Sequence, residues 1–257
     1  MNFFRSQSIT LPKHNCVQEN ALQIPAVKKL VGKRVVLASN SSRRQEILKT
    51  FGLTPEIVPS TFEEDLPYSS FDNAHEYPVS TATHKAVEVY ERLVANDPED
   101  APDLVIAADT VVLTRPTPGA FSSSFADQDI GPQDILEKPG SQEDNYRMLL
   151  DMNGGICEVV TGLSLVYPVL EAPGYKIKSI DERTLVYFAD NSEHLLRAYV
   201  ESKEGVDRAG GFAIQGLGGS LIRKIDGDYN NVVGFPAASF FKFLDILLEE
   251  ETDFLSI

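Results

Sequence analysis

Ser39 to Arg44, SNSSRR, puts several chemically capable side chains into six residues. The apolar run RVVLA (34–38) precedes it and RRQEILKTFG (43–52) follows, so these residues form the turn between a strand and the start of a helix. Backbone N–H groups and the positive end of a helix dipole meet at such a turn, which makes it a ready anion site. First helical turns favour acids, yet Arg43 and Arg44 stand here side by side. Their forked donors suit phosphate, and a multivalent anion between them relieves their repulsion. The competing reading turns both outward toward surface acids.

Asp109 is the second informative residue. It interrupts LVIAADTVVL (104–113), where burying an ionised carboxylate costs several kcal/mol, roughly, unless a cation or metal compensates. The alternative is an Asp capping the strand end. Glu64 in STFEED, Lys85 in THKAVEV and Lys138 in ILEKPG each read, one at a time, as ordinary solvated side chains. In the tract GGFAIQGLGG the glycines do not match a GxxxxGKS phosphate loop and serve equally well for turns. Gln215 within it can offer a donor and an acceptor together to a base edge.

The elements that must position these residues follow from the apolar pattern. RVVLA, TPEIVPS (54–60), DLVIAADTVVL (103–113), ICEVVTGLSLVY and KIKSIDERTLVYF read as strands, the last two pairing across PVLEAPG. Val79, Ala82, Ala86, Val89 and Leu93 give a helical face over 76–95, with Lys85 at its edge. Further helices are expected over 141–152, 192–202 and 237–251, and SLIRKIDGDYNNVVGFP reads as a last strand and turn. Strands alternating with helices indicate an α/β fold with a mixed sheet.

The 257 residues suffice for one domain, taken as 32–257, with a Pro, Ser and Gly-rich inserted loop at 114–134. Residues 1–31 read as a flexible tail, whose first twenty residues, without an acid before Glu19, faintly resemble a mitochondrial presequence. A formal charge of −15, from 23 Lys and Arg against 38 Asp and Glu, argues against a nucleic-acid-binding surface, so any polyanion must be met locally. Two cysteines without metal-type spacing point to a reducing compartment, taken as the cytoplasm. No apolar run nears the roughly 18 residues of a membrane span.

Taken together, these segments resemble the Maf family of nucleotide pyrophosphatases. LASNSSRRQEIL matches the family's opening LASxSPRRxELL, followed by the acidic loop at Glu64, HKAVEV, ADTVV at Asp109, EKP at Lys138, EVVTGLSLV, and AGGFAIQGLGG with IDGDYNNVVGFP. The order holds over about residues 34–245. Ser42 replaces a usual Pro, Glu137 a usual Gly, Cys157 a usual His and Arg208 a usual Lys, and the 114–134 insert is longer than in most bacterial members. Arg43, Thr110 and Gln215 resemble the branch acting on dTTP and UTP rather than the methyl-GTP branch.

The resemblance implies a mixed twisted sheet flanked by helices, with two lobes around a deep nucleotide cleft, and a homodimer. It implies metal-dependent hydrolysis of dTTP and UTP, with CTP and modified pyrimidine nucleotides as further candidates, to monophosphate and pyrophosphate. Asp109, Glu64 and Lys85 are then catalytic, Glu64 and Asp109 holding Mg²⁺ or Mn²⁺. Ser39, Arg43, Arg44, Lys138, Thr110 and Gln215 bind substrate. A nucleotide-binding regulator of cell-division type, with little or no turnover, is the alternative.

Overall fold

The computed structural model describes residues 13–114, 134–252 and 254–256. Seven segments form one sheet: β1 (Val35–Leu37), β2 (Glu56–Ile57), β3 (Leu104–Thr114), β4 (Ile135–Leu136), β5 (Ile156–Pro168), β6 (Tyr175–Phe188) and β7 (Ile222–Asp226). Their order is β2-β1-β3-β5-β6-β7, with β4 paired to β3 off this path. β1 runs parallel to β2 and β3, and every other pairing is antiparallel. The mixed sheet expected from the sequence is therefore present. The helices are α1 (Pro25–Lys29), α2 (Ser42–Thr50), α3 (Glu76–Asn96), α4 (Gln142–Met152), α5 (Glu193–Glu201), α6 (Tyr229–Val233) and α7 (Ala237–Glu250).

β3 is apolar without interruption up to Ala108 because both its faces are covered. Leu104, Ile106 and Ala108 pack in one cluster with Phe240 and Leu244 of α7, while Val105 and Ala107 pack against Ala86, Val89 and Tyr90 of α3. Alternation therefore turns Asp109 toward α3 and Thr110 toward the opposite face. On that second face the α7 cluster ends at Ala108, and a separate one, containing Val112, Met148, Leu149, Leu196 and Phe212, takes over. Thr110 and its cross-strand partner Thr161 lie in the gap between the two clusters. One sheet thus carries two lobes.

α3 comes unusually close to β5. A Cβ built on Gly162 would fall 2.4 Å from the backbone of Pro78 and Val79 in the first turn of α3. Gly162 pairs with Asp109 across β3 and β5, so the close approach is made beside the strand position that carries the buried carboxylate.

Three elements depart from the sequence reading. TPEIVPS contributes only the two residues of β2, both exposed. YNNVV, taken as part of a strand and turn, is the helix α6. Asp228 accepts from Asn230 N–H to cap it, and Gly234, at φ 122°, ends it. Of the tail expected over 1–31, residues 1–12 lie outside the described residues, and the remainder packs. Cys16, Ala21, Ala26, Val27 and Leu30 join the α7 cluster, and backbone bonds tie Gln18 and Cys16 to Gly52 and Thr54. The insert at 114–134 lies outside the described residues except at its ends, where Thr114 and Asp134 exchange hydrogen bonds.

Candidate functional site

Ser39, Arg43, Arg44, Glu64, Lys85, Asp109, Thr110, Lys138 and Gln215 all line a single cleft of about 500 Å³. α2 begins at Ser42 directly after β1 and the turn, so Ser39 lies at the strand end with its hydroxyl accepting from Ser41 N–H at 3.2 Å. Both arginines line the cleft, Arg44 turned fully inward and Arg43 also meeting an exposed acid, Asp207, as the surface-pairing alternative had it.

The two arginines do different things. The Arg44 guanidinium donates to Gly234 O at 2.9 Å, to Ser39 Oγ at 3.1 Å and to Thr110 Oγ1 at 3.2 Å. It thereby bridges the strand-helix turn, the central strand and the end of α6. Burial lowers its pKa from the ordinary guanidinium value, the nearby Asp109 charge opposes that, and Arg43 adds to it. Arg43 instead reaches across the cleft, donating to Asp207 O at 3.1 Å.

At the floor, Lys85 is buried rather than lying at the edge of its helix face. Its ammonium lies 2.8 Å from Asp109 Oδ1 and 2.9 Å from Glu64 Oε2. Asp109, at 7% exposure, thus has the cation that its burial requires, which settles the strand-end reading against capping. Glu64, half exposed, arrives on the loop after β2. That loop is fastened to α3: Glu88 accepts from Ser60 Oγ, Thr61 N–H and Thr61 Oγ1 at 2.8–3.0 Å, and Arg92 donates to Pro59 O and to Glu88. Phe62 stacks on His84 at 4.9 Å. Lys85, Glu88 and Arg92 form one helical stripe by their spacing of three and four.

Lys138 sits at the exposed rim, 3.1 Å from Asp207 Oδ1. Gln215 is exposed at the cleft wall beside Phe212, whose ring is buried. Sequence reasoning missed Asp207, Glu88, Arg92 and Glu137. Glu137 lines the cleft and accepts from Tyr77 Oη at 2.8 Å, so the position of a usual family Gly here brings in a carboxylate. Arg208, in place of a usual Lys, also faces the cleft, its Nε buried and without a hydrogen-bond partner among the described residues. Cys157 and Cys16 are buried and free. Burial pushes the Cys16 thiol up to about 11 and raises Cys157 further, so neither is a nucleophile at neutral pH. Among the described residues no helix is long and apolar enough to cross a membrane.

A cluster of cations opposite a pair of carboxylates can seat a polyphosphate and keep a carboxylate free to orient water beside it. Comparison with known proteins agrees in extent. A family model described as Maf-like protein matches residues 34–247. The human protein named probable bifunctional dTTP/UTP pyrophosphatase/methyltransferase is 44% identical over 222 residues, which are 86% of this chain and 33% of the human one. The chain therefore spans about a third of that relative's length. The Schizosaccharomyces pombe dTTP/UTP pyrophosphatase is 36% identical over 229 residues, 87% of each chain, and its namesake in Thermococcus kodakarensis is 36% identical over 212 residues, 82% of this chain and 96% of its own. With the matched segment holding the whole sheet and every residue of the cleft, the chain belongs to the Maf family.

Proposed function

We propose that the protein is a nucleoside triphosphate pyrophosphatase that hydrolyses dTTP and UTP between the α- and β-phosphates, giving the monophosphate and pyrophosphate. CTP and modified pyrimidine nucleotides are further candidate substrates, and the role is house-cleaning of the nucleotide pool. The observation that carries the reading is the pairing of Lys85 with both Glu64 and Asp109, within the same cleft as Arg43, Arg44 and Lys138. The names of the relatives set the substrate class.

A triphosphate carries about four negative charges, so a chain of net charge −15 must gather cations locally to admit it. Arg43, Lys138 and Ser39 receive phosphate oxygens. Arg44 shapes the wall between Ser39 and Thr110 and adds its charge. Asp109 orients the attacking water and takes its proton, while Lys85 holds Asp109 and Glu64 in place. Gln215 reads the base edge.

The donor set fits a hard divalent ion. Glu64 and Asp109 offer two carboxylates, each within 2.9 Å of Lys85 Nζ, and since no group of three or more His, Cys, Asp or Glu suited to a metal occurs among the described residues, the protein would supply only these two ligands. Mg²⁺ or Mn²⁺ held by these two would complete its shell with water and phosphate oxygens, the usual manner of Mg²⁺ at phosphates. Bound there, the ion would neutralise phosphate charge and acidify water. The protein works as a homodimer in the cytoplasm, without nucleic acid.

The test is release of pyrophosphate and phosphate by the purified chain from dTTP, UTP, CTP, GTP and 7-methyl-GTP, with Mg²⁺, Mn²⁺ or chelator. Metal-dependent pyrophosphate from the pyrimidines without free phosphate is expected. Binding of nucleotide with release of neither product would replace this reading with a nucleotide-binding regulator.

A further inference from the structure

Asp207 stands where the cations of the rim converge. It lies in the turn between α5 and the glycine-rich tract, and its side chain is 73% exposed. Lys138 Nζ is 3.1 Å from its Oδ1, and Arg43 NH1 and Arg208 NH1 are each 3.9 Å from its Oδ2, while both guanidiniums donate to the Asp207 carbonyl oxygen, Arg43 at 3.1 Å and Arg208 at 3.3 Å. All three cations line the cleft. Cations converging from separate elements on one anion form the set that a phosphate group calls for, and here a carboxylate of the protein itself fills it.

Two features make that occupancy replaceable. An exposed ion pair is worth little in water, so the carboxylate leaves its partners at small cost. The turn around it, by contrast, is anchored: Arg208 N–H donates to Gly205 O at 3.1 Å, Gly211 N–H to Arg208 O at 2.9 Å and Gly210 N–H to Glu137 O at 3.0 Å. The side chain can turn away while the turn stays. A triphosphate, with several charges, outcompetes a single carboxylate for the same cations.

We propose that Asp207 is a resident stand-in for a substrate phosphate. It holds Lys138 and offsets the charge of Arg43 across the cleft, yields both to the incoming triphosphate, and competes with bound pyrophosphate after hydrolysis. The inference rests on the pyrophosphatase reading and adds a residue that governs product release. It differs in sign from a strut: a carboxylate that merely braced the cations would weaken anion binding when removed, whereas a competitor strengthens it.

The experiment is calorimetric titration of inorganic pyrophosphate into the full chain, wild type and Asp207→Asn, with Glu46→Gln as control. Glu46 is an exposed acid whose charge reaches Arg43 through space. Asp207→Asn is expected to bind pyrophosphate at least about fivefold tighter, and Glu46→Gln to change by less than about twofold. With dTTP, Asp207→Asn is expected to lower KM and, through slower release, kcat. Equal gains in both variants, or unchanged or weaker binding in Asp207→Asn, would overturn the proposal. Asp207→Ser repeats the titration should the Asn variant fail to fold. Turnover of dTTP by the same wild-type preparation is measured alongside: its absence sinks the pyrophosphatase reading, while the titration still decides on Asp207.

Discussion

Lys85 Nζ lies 2.8 Å from Asp109 Oδ1, a contact that joins α3 to the central strand with both side chains only 10% exposed. The two partners are not equivalent on removal. Asp109→Asn leaves Lys85 paired with Glu64, so the fold should hold while the base is lost. We expect kcat to fall at least about a hundredfold with an unchanged denaturant midpoint. Lys85→Met strands Asp109 as a buried charge, and should in addition destabilise the protein by about 3 kcal/mol. Comparison of turnover and urea unfolding for the two variants checks this. Near-wild-type turnover by Asp109→Asn would remove it from the base role.

Glu88 should act on the site without touching it, by fastening the loop that delivers Glu64. Burial alone would raise its pKa, but hydrogen bonds from Arg92, Ser60 and Thr61 outweigh burial and bring it down to about 2. Its folded pKa lies below the unfolded one, so its contribution is fully present above about pH 4.5 and is lost as pH falls toward about 2. Glu88→Gln should therefore be less stable than wild type at pH 7, with the difference shrinking by pH 3. Denaturant midpoints at the two pH values decide it. A constant difference would show that the charge of Glu88 is immaterial.

Gly162→Ala tests the close approach of α3 to β5. The added methyl meets the backbone of Pro78 and Val79 at 2.4 Å, and backbone cannot give way as a side chain can. The helix must move, carrying Lys85 from Asp109. We expect a loss of about 1–3 kcal/mol in stability, and a fall of about tenfold or more in kcat/KM from the misplaced pair. Unaltered kinetics would mean that the Lys85 contact tolerates a displaced helix.

Gln215→Glu replaces an amide that both donates and accepts by a group that, at neutral pH, only accepts. Rates with dTTP, UTP, CTP and GTP should change their ranking rather than fall uniformly. An unchanged ranking would take base selection away from this residue.

The long elements were readable because their signals are repeated. Val79 through Leu93 marks α3 several times over, and the continuous run 104–113 marks a strand covered on both faces. α1, α6, β2 and β4 are five residues or fewer, too short for a period, although Asp228 and Gly234 did carry cap and stop signals for α6. In the cleft, residues with an unusual local setting were found: paired cations at a helix start, an acid within an apolar strand. Asp207 and Glu88 were missed because each is one of 38 acids and becomes distinctive only through partners distant in sequence, as Ser60 is from Glu88 and Lys138 from Asp207.

The segment Cys16 to Leu30 has a practical consequence for anyone defining the unit that folds. The family match begins at residue 34, yet Ala26, Val27 and Leu30, all almost fully covered, lie ahead of it and share a cluster with Phe240 and Leu244. A truncation at the family boundary would strip the cover from α7 and bare an aromatic surface to water, inviting self-association. The border of kinship runs inside the packed core of this chain.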